Sequence, residues 1–204
     1  YAEAHYNLGA TLQKLDQLDA AVKSYEQAIA IKPDFTDAHN NLGIVHKELG
    51  QLETAIKCYE QAIAIKSDFA EAHYNLGVAL NEFGQLELSQ LDAAIKCYEK
   101  AIAIKPDYAD AHINLGNTLK RLGQVDAAVK SYKKAIAIKP DFAEAHNNLG
   151  GTLQDLGQLD MAVKCYKKAL TIKPDYAVPQ HMLNALTGNT TTEPPKEYVK
   201  NLFD

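Results

Sequence analysis

The chain has 204 residues, 47% hydrophobic and 23% charged, so it can fold around a core and is not of the disordered class. Its formal net charge is −5 and Arg121 is its only arginine, which argues against nucleic acid as a partner, because phosphate backbones are bound by clustered positive charge. Its apolar runs are far shorter than the roughly 20 residues that cross a bilayer and no signal peptide opens it, so no membrane is expected either.

The sequence repeats itself with a period of 34 residues, and we number the places within each repeat from its first residue. Each repeat holds two apolar patterns of helical period, separated by a short polar turn such as residues 15–17. Every repeat is therefore predicted to form two helices, helix A followed by helix B. The repeats cover residues 2–35, 36–69, 70–108, 109–142 and 143–176, and the third is five residues longer than the others.

The same residue types hold the same places in all five repeats. Place 8 is glycine, places 20 and 27 are alanine, and place 24 is tyrosine. Glycine and alanine let two helix axes approach to about 8–10 Å, so these places predict the contact between helices A and B. The residues are Gly9, Gly43, Gly77, Gly116 and Gly150 at place 8, and Tyr25, Tyr59, Tyr98, Tyr132 and Tyr166 at place 24.

These places, together with a proline after helix B in four repeats, resemble the consensus of the tetratricopeptide repeat family. The resemblance covers residues 2–176 and implies an all-α fold, a right-handed α-solenoid of stacked antiparallel helix pairs with a concave surface lined mostly by helix A. The sequence departs from the family at place 4, where histidine replaces a large aromatic residue. It also departs at His46, which replaces a leucine-like residue, and at Ser67, which replaces the proline.

The helix boundaries carry charge signals. A lysine ends each helix B, and a carboxylate lies in the first turn of helix A, as the helix dipole favours. An aspartate just before helix A is the expected N-cap, with the carboxylate three residues later completing a capping-box-like pattern. The expected N-caps are Asp34, Asp68, Asp107 and Asp141.

The five extra residues of the third repeat fall within residues 85–91, between helices A and B. Five residues rotate a helix by about 140° beyond a full turn, so they cannot lie mid-helix without turning Ala94 and Tyr98 off the core. The insertion is expected to lengthen the turn or to add a projecting turn to the start of helix B. A tolerated loop insertion is the simpler interpretation, and a contact for a partner is the alternative, since Leu86, Leu88 and Leu91 are apolar.

Both ends of the sequence suggest neighbouring segments. Tyr1 holds the place of the aromatic residue that closes each later repeat, so a preceding repeat is expected. Residues 177–188 predict a capping helix, with Pro179 in its first turn and a stop at Thr187 and Gly188. Residues 189–204 predict a linker and the start of a following segment. Residues 184–204 resemble the junction in bacterial proteins where such repeats precede a class I methyltransferase domain, which would then lie beyond Asp204.

Place 6 is asparagine in every repeat, and we call this set the asparagine ladder. A side-chain amide offers one acceptor and two donors, so it can pair with both the C=O and the N–H of one peptide unit. The ladder resembles that in the repeats of peptide O-linked N-acetylglucosamine transferases, where it binds extended polypeptide, although asparagine is also a common consensus residue there. The ladder consists of Asn7, Asn41, Asn75, Asn114 and Asn148.

Variable neighbours of the ladder are expected to select side chains of a bound peptide. Most lie at place 5, with Asn117 at place 9 and two lysines at the margin of the groove. The place-5 residues are Tyr6, Asn40, Tyr74, Ile113 and Asn147, and the lysines are Lys47 and Lys120. The resemblance also argues against a carboxylate clamp for a chaperone C-terminus, because place 5 lacks the lysine that the clamp needs.

Other candidate sites have simpler explanations. The five place-4 histidines are expected to be half-buried packing residues and not metal ligands. Equivalent atoms on adjacent repeats lie near 10 Å apart, whereas two ligands of one zinc ion each lie about 2 Å from the metal. Cys58, Cys97 and Cys165 form no CxxC pair and alternate with serine at place 23, which favours packing, a reducing compartment and a cytoplasmic location. No nucleophile, base and orienting group occur together, so no enzyme, cofactor or metal is expected.

The sequence therefore predicts a non-catalytic protein–protein interaction module that binds an extended peptide or a partner helix in its concave groove. One alternative is a structural scaffold that self-associates through its end repeats into a homo-oligomer. Another is the substrate-recruiting part of a methyltransferase whose catalytic domain is absent from this chain.

Overall fold

The protein is described by a computed structural model that covers residues 1–84 and 88–188, without the side chain of Leu88. Over these residues it consists of eleven helices joined by short turns, with no strand. The helices are α1 (Ala2–Lys14), α2 (Leu18–Ile31), α3 (Thr36–Glu48), α4 (Leu52–Ile65), α5 (Ala70–Phe83), α6 (Leu88–Ile104), α7 (Ala109–Arg121), α8 (Val125–Ile138), α9 (Ala143–Asp155), α10 (Leu159–Ile172) and α11 (Ala177–Thr187).

The helices are distributed over two compact units. Helices α1–α6 form the first unit, residues 1–106, and α7–α11 form the described part of the second, which begins at residue 107. Within each unit every helix packs on the next one along the chain, and helix A of one repeat also touches helix A of the following repeat. This confirms the predicted all-α fold of stacked helix pairs, whereas a single array over residues 1–188 stays a prediction.

Helices A and B of one repeat contact each other at the place-8 glycine and the place-24 tyrosine, as the sequence predicted. The Tyr59 ring is fully buried, and a Cβ added to Gly43 would lie 2.6 Å from its Cε1 atom. The same approach recurs at Gly9, Gly77, Gly116 and Gly150, each against the tyrosine of its own repeat. Glycine at place 8 thus leaves the space that the tyrosine ring fills.

The turn from helix A to helix B has one conformation in four repeats. Gly50 takes a φ of 73° and the next amide, Gln51 N, donates to His46 O at 2.8 Å, which closes the helix as in a Schellman motif. Gly123 and Gly157 repeat this conformation, and Asp16 adopts it with a φ of 56°. In the third repeat Gly84 has a φ of −79° instead, and the insertion follows it.

The insertion lengthens helix B of the third repeat, which is one of the two outcomes that the sequence allowed. Helix α6 has 17 residues, whereas the other B helices have 14, and it begins three residues before Leu91, the equivalent of their first residue. Leu91 is only 3% exposed, so the longer helix keeps this apolar residue in the core. Residues 85–87 and the Leu88 side chain lie outside the described part, so the proposed partner contact there stays a prediction.

The predicted aspartate caps are wrong. The N-cap residues of helix A are Phe35, Phe69, Tyr108 and Phe142, each one residue after the expected aspartate, and none caps with a side-chain hydrogen bond. A cation–π contact stabilises this turn instead. The lysine that ends helix B lies over the aromatic ring of the N-cap residue. The distances from Nζ to ring centroid are 4.8 Å for Lys32 and Phe35, 5.5 Å for Lys66 and Phe69, and 4.6 Å for Lys139 and Phe142.

The place-4 histidines bind the same turn from the other side. Nε2 of His39 lies 2.9 Å from Pro33 O, and His73 and His146 make equivalent contacts of 3.0 Å with Ser67 O and Pro140 O. Since a carbonyl only accepts hydrogen bonds, Nε2 is the protonated nitrogen in each ring. These residues are packed within the fold, as predicted, and they also tie helix A to the preceding turn.

The last described helix agrees with the predicted capping helix. Pro179 lies buried in the first turn of α11, the helix packs on α10, and Gly188 ends it in a left-handed conformation with a φ of 77°. The predicted linker and following segment, residues 189–204, lie outside the described residues.

Candidate functional site

Two ladder asparagines of the first unit, Asn41 and Asn75, are hydrogen-bonded to the preceding repeat. Nδ2 of Asn75 donates to Oδ1 of Asn40 at 3.0 Å, and Nδ2 of Asn41 donates to the Tyr6 hydroxyl at 3.0 Å. Asn40 also donates to Oδ1 of Asn41 at 3.3 Å. Four side chains therefore form one connected polar chain across three A helices.

The second unit contains a similar network with a different acceptor. Nδ2 of Asn148 donates to Oδ1 of Asn117, at place 9 of the preceding repeat, at 2.9 Å. The Tyr132 hydroxyl donates to the same oxygen at 2.8 Å, and Asn147 donates to Oδ1 of Asn148 at 3.2 Å. The ladder thus joins adjacent repeats in both units, a role that the sequence interpretation did not include.

These internal bonds leave part of the amide capacity unused. Asn148 uses one N–H and one oxygen lone pair, which leaves one of each. Asn41 is more fully engaged, because it donates to Tyr6 and also hydrogen-bonds Tyr25. Burial raises the pKa of the Tyr25 hydroxyl to about 12, although the bond from Asn41 acts in the opposite direction. Asn75 and Asn114 are half-buried and Asn7 is exposed.

The place-5 residues divide into half-buried and buried ones. Tyr6 is half-buried, with its ring centroid 4.9 Å from that of Phe35, and Tyr74 lies 6.1 Å from Tyr98. Asn40 is 6% exposed, so its amide serves the internal network. Ile113 is 2% exposed and packs with residues of α8 and α9, so, contrary to the expectation, its side chain is not open to a peptide.

A second row of polar contacts follows the ends of the A helices. In each case place 12 of one repeat contacts place 13 of the next. Lys120 Nζ lies 2.8 Å from Asp155 Oδ2, Lys47 Nζ lies 3.9 Å from Glu82 Oε2, and Gln13 donates to Glu48 at 3.1 Å. The two margin lysines are therefore paired with carboxylates, a pairing that the opposite charges at places 12 and 13 could have suggested.

Two of the place-24 tyrosines direct their hydroxyls toward the place-12 glutamine of their own repeat. Tyr25 donates to Gln13 Oε1 at 3.3 Å and Tyr166 donates to Gln154 Oε1 at 2.9 Å. The Tyr59 hydroxyl is buried with no partner among the described residues, and burial raises its pKa. In its repeat, place 12 is Lys47, which turns to Glu82 instead.

The described residues contain no group of three or more histidine, cysteine, aspartate or glutamate side chains that could hold a metal ion. In the same part of the chain, every helix falls short of the length and apolar character needed to span a bilayer. The three cysteines are half-buried and free, and burial raises the pKa of Cys58 and of Cys97 to about 11.

Comparison with known families gives repeated matches along the chain. A family profile described as TPR repeat matches residues 14–50, 45–84, 86–123 and 116–157, and one described as Tetratricopeptide repeat matches residues 143–176. The search of curated proteins returned no match.

Several solved structures have the same fold. A crystal structure of MamA protein is 29% identical, covers 86% of this chain and 93% of its own, and has a TM-score of 0.74. A thermophilic TPR protein of Thermus thermophilus is 25% identical, with 92% and 99% coverage and a TM-score of 0.68. YrrB, a TPR protein with an unusual peptide-binding site, is 22% identical, with 89% and 91% coverage and a TM-score of 0.72, a likeness that shows the fold alone.

Proposed function

Because this chain belongs to the tetratricopeptide repeat family, whose arrays are in general non-catalytic protein-interaction modules, we propose that it binds an extended peptide or a partner helix along its A helices. The ladder asparagines are the proposed backbone contacts. Tyr6, Tyr74, Asn117 and Asn147, with the margin lysines, are the proposed contacts to peptide side chains.

The observation that supports this proposal is the regular placement of half-satisfied amides. Asn75 and Asn148 occupy equivalent places in different units, and each is fixed by a hydrogen bond to the preceding repeat. A side chain that is already held in place loses little conformational entropy when a ligand binds, so it contributes more to affinity than a mobile one. The remaining donor and acceptor of Asn148 suit the C=O and N–H of a peptide unit.

The experiment uses peptides selected from a random display library on the complete chain. Their affinity is then measured for the triple variant Asn41→Ala, Asn75→Ala, Asn114→Ala by isothermal titration calorimetry. Loss of several backbone hydrogen bonds, at about 0.5–1.5 kcal/mol each, predicts at least about tenfold weaker binding.

The matched control replaces Lys57, Lys96 and Lys130 with alanine. These residues are exposed on the B helices of the same three repeats. The control variant should bind the selected peptides as the unchanged chain does. Equal affinity of the asparagine variant, with its helical content retained, would remove the ladder from the binding surface.

One observation favours self-association as a second candidate function. Leu8 on α1 is 49% exposed and Leu15, directly after this helix, is 62% exposed. Leu42 and Leu76, which hold the place of Leu8 in later repeats, are only 7% and 8% exposed. A second copy could cover this apolar surface. Light scattering over a concentration series distinguishes the two functions, since a strict monomer excludes the scaffold.

A further inference from the structure

A pocket in the second unit deepens the proposed function and rests on it. The pocket has a volume of about 280 Å³, and its lining includes the asparagine network of Asn117, Asn147 and Asn148. Its apolar part comes from the rings of Tyr132 and Tyr166 and from two residues of α11. Ligand pockets of drug-sized molecules start at about 300 Å³, so this one suits a single side chain of a peptide.

The hydrogen bonds within the asparagine network determine which donors and acceptors remain free for a ligand. Oδ1 of Asn117 accepts two hydrogen bonds, from Tyr132 and from Asn148, so its lone pairs are used. Its own two N–H groups have no partner among the described residues, and Asn148 keeps one unused N–H. Oδ1 of Asn147 is buried and has no hydrogen-bond partner in the described part of the chain. The pocket lining thus includes several free donors and one buried acceptor that lacks a donor.

Charge disfavours the basic side chains as occupants, and hydrogen-bonding capacity disfavours the acidic ones. Lys120 and Arg121 line the pocket and disfavour a lysine or arginine of the peptide. Of these two cations, Lys120 already pairs with Asp155 at 2.8 Å. A carboxylate also has no hydrogen to donate to Asn147.

We propose that this pocket binds the side-chain amide of a glutamine or asparagine in the bound peptide. A primary amide carries a C=O and an NH₂ at the same end, so it can accept from Asn117 while it donates to Asn147. A backbone peptide unit does not match this arrangement, because its C=O and N–H point in opposite directions. The methylene groups of the side chain then lie against the two tyrosine rings.

Gly151 provides a direct test because it keeps the pocket open. A Cβ at this position would lie 3.6 Å from the Tyr166 hydroxyl and 3.7 Å from Lys120 Nζ, which is ordinary contact distance. The Gly151→Ala chain should therefore fold normally while its pocket is smaller. Asn147→Leu is the second variant, since it removes the buried acceptor at similar volume.

The experiment begins with the peptides selected from the random library on the unchanged chain. We expect one position to be enriched in glutamine or asparagine. Changing that residue to leucine or glutamate should weaken binding about tenfold, and these changes should have little further effect on binding to Gly151→Ala or Asn147→Leu. A double-mutant cycle between peptide and protein measures this coupling and cancels any uniform loss of stability.

The outcomes separate this inference from the proposed function. If no peptide is enriched, the proposed function fails and the inference fails with it. If peptides bind and depend on the asparagine ladder but show no amide preference, or if Gly151→Ala binds them unchanged, the pocket inference is overturned and the proposed function stands. Enrichment of an acidic or hydroxyl side chain at the coupled position also overturns it.

Discussion

The ladder asparagines have an internal role in joining repeats, and the proposed function gives the same side chains an external one. Asn75 and Asn148 each spend one N–H on the preceding repeat, and this bond fixes the direction of the rest of the amide. The sequence showed which place is constant but not how the amides are oriented, because orientation depends on residues one repeat away. Burial at place 5 depends on neighbours in the same way, and for this reason Ile113 could not be recognised as a packed residue.

Burial of the cysteines should make their thiols slow to react. Burial raises the pKa of Cys58 and Cys97 from 9.0 to about 11, so the thiolate fraction near neutral pH falls about 100-fold. We expect iodoacetamide to alkylate both thiols far more slowly in the folded chain than in urea at the same pH, as followed by mass spectrometry. Equal rates in the two states would contradict the burial of these thiols.

The same shifts determine the pH dependence of stability. A thiol with a raised pKa keeps its proton in the folded state to a higher pH than in the unfolded state. Its contribution to stability is therefore complete below pH 9 and is lost as the pH rises toward 11. The Tyr25 hydroxyl, with a pKa of about 12, extends this loss to higher pH.

At the scale of helices, the period of 34 residues was sufficient to predict both helices of every repeat. The same residue types recur every 34 residues because each repeat makes the same side-chain contacts, such as that between the place-8 glycine and the place-24 tyrosine. The N-cap lies one residue after the predicted aspartate, because contacts outside the capping-box pattern determine where helix A begins. Lys32 over the Phe35 ring and His39 bound to Pro33 O both stabilise the turn from outside the capping box.

Two glycines of helix A should respond to alanine with opposite signs. Gly43→Ala places a Cβ 2.6 Å from the fully buried Tyr59 ring, and such overpacking costs about 1–3 kcal/mol of the free energy of unfolding. Gly151→Ala meets only ordinary contacts, so the higher helix propensity of alanine should stabilise the chain by about 0.5–1 kcal/mol.

Urea denaturation followed by circular dichroism measures both variants. An increase in stability for Gly43→Ala would show that the helices of this repeat do not approach as closely as described. A loss of stability for Gly151→Ala would show that the pocket beside it is filled.

At the scale of the molecule, repetition places the same chemistry in each unit. Asn41 and Asn75 lie in the first unit and Asn114 and Asn148 in the second, so each unit carries ladder asparagines of its own. The variable places give the units different character, since the first has Tyr6 and Tyr74 at place 5 and the second has the amide-lined pocket. Under the proposed function, a peptide bound to either unit would meet the same backbone contacts with different side-chain selection.

The most direct test of peptide binding by the ladder is nuclear magnetic resonance of the asparagine side-chain amides. A nitrogen-labelled chain is titrated with a selected peptide, and the NH₂ signals are assigned by single asparagine substitutions. We expect the NH₂ signals of Asn75 and Asn148 to shift with the peptide, while backbone signals of the exposed faces of the B helices stay in place. Shifts confined to the B helices or to the apolar face of α1, with the asparagine amides unchanged, would contradict it.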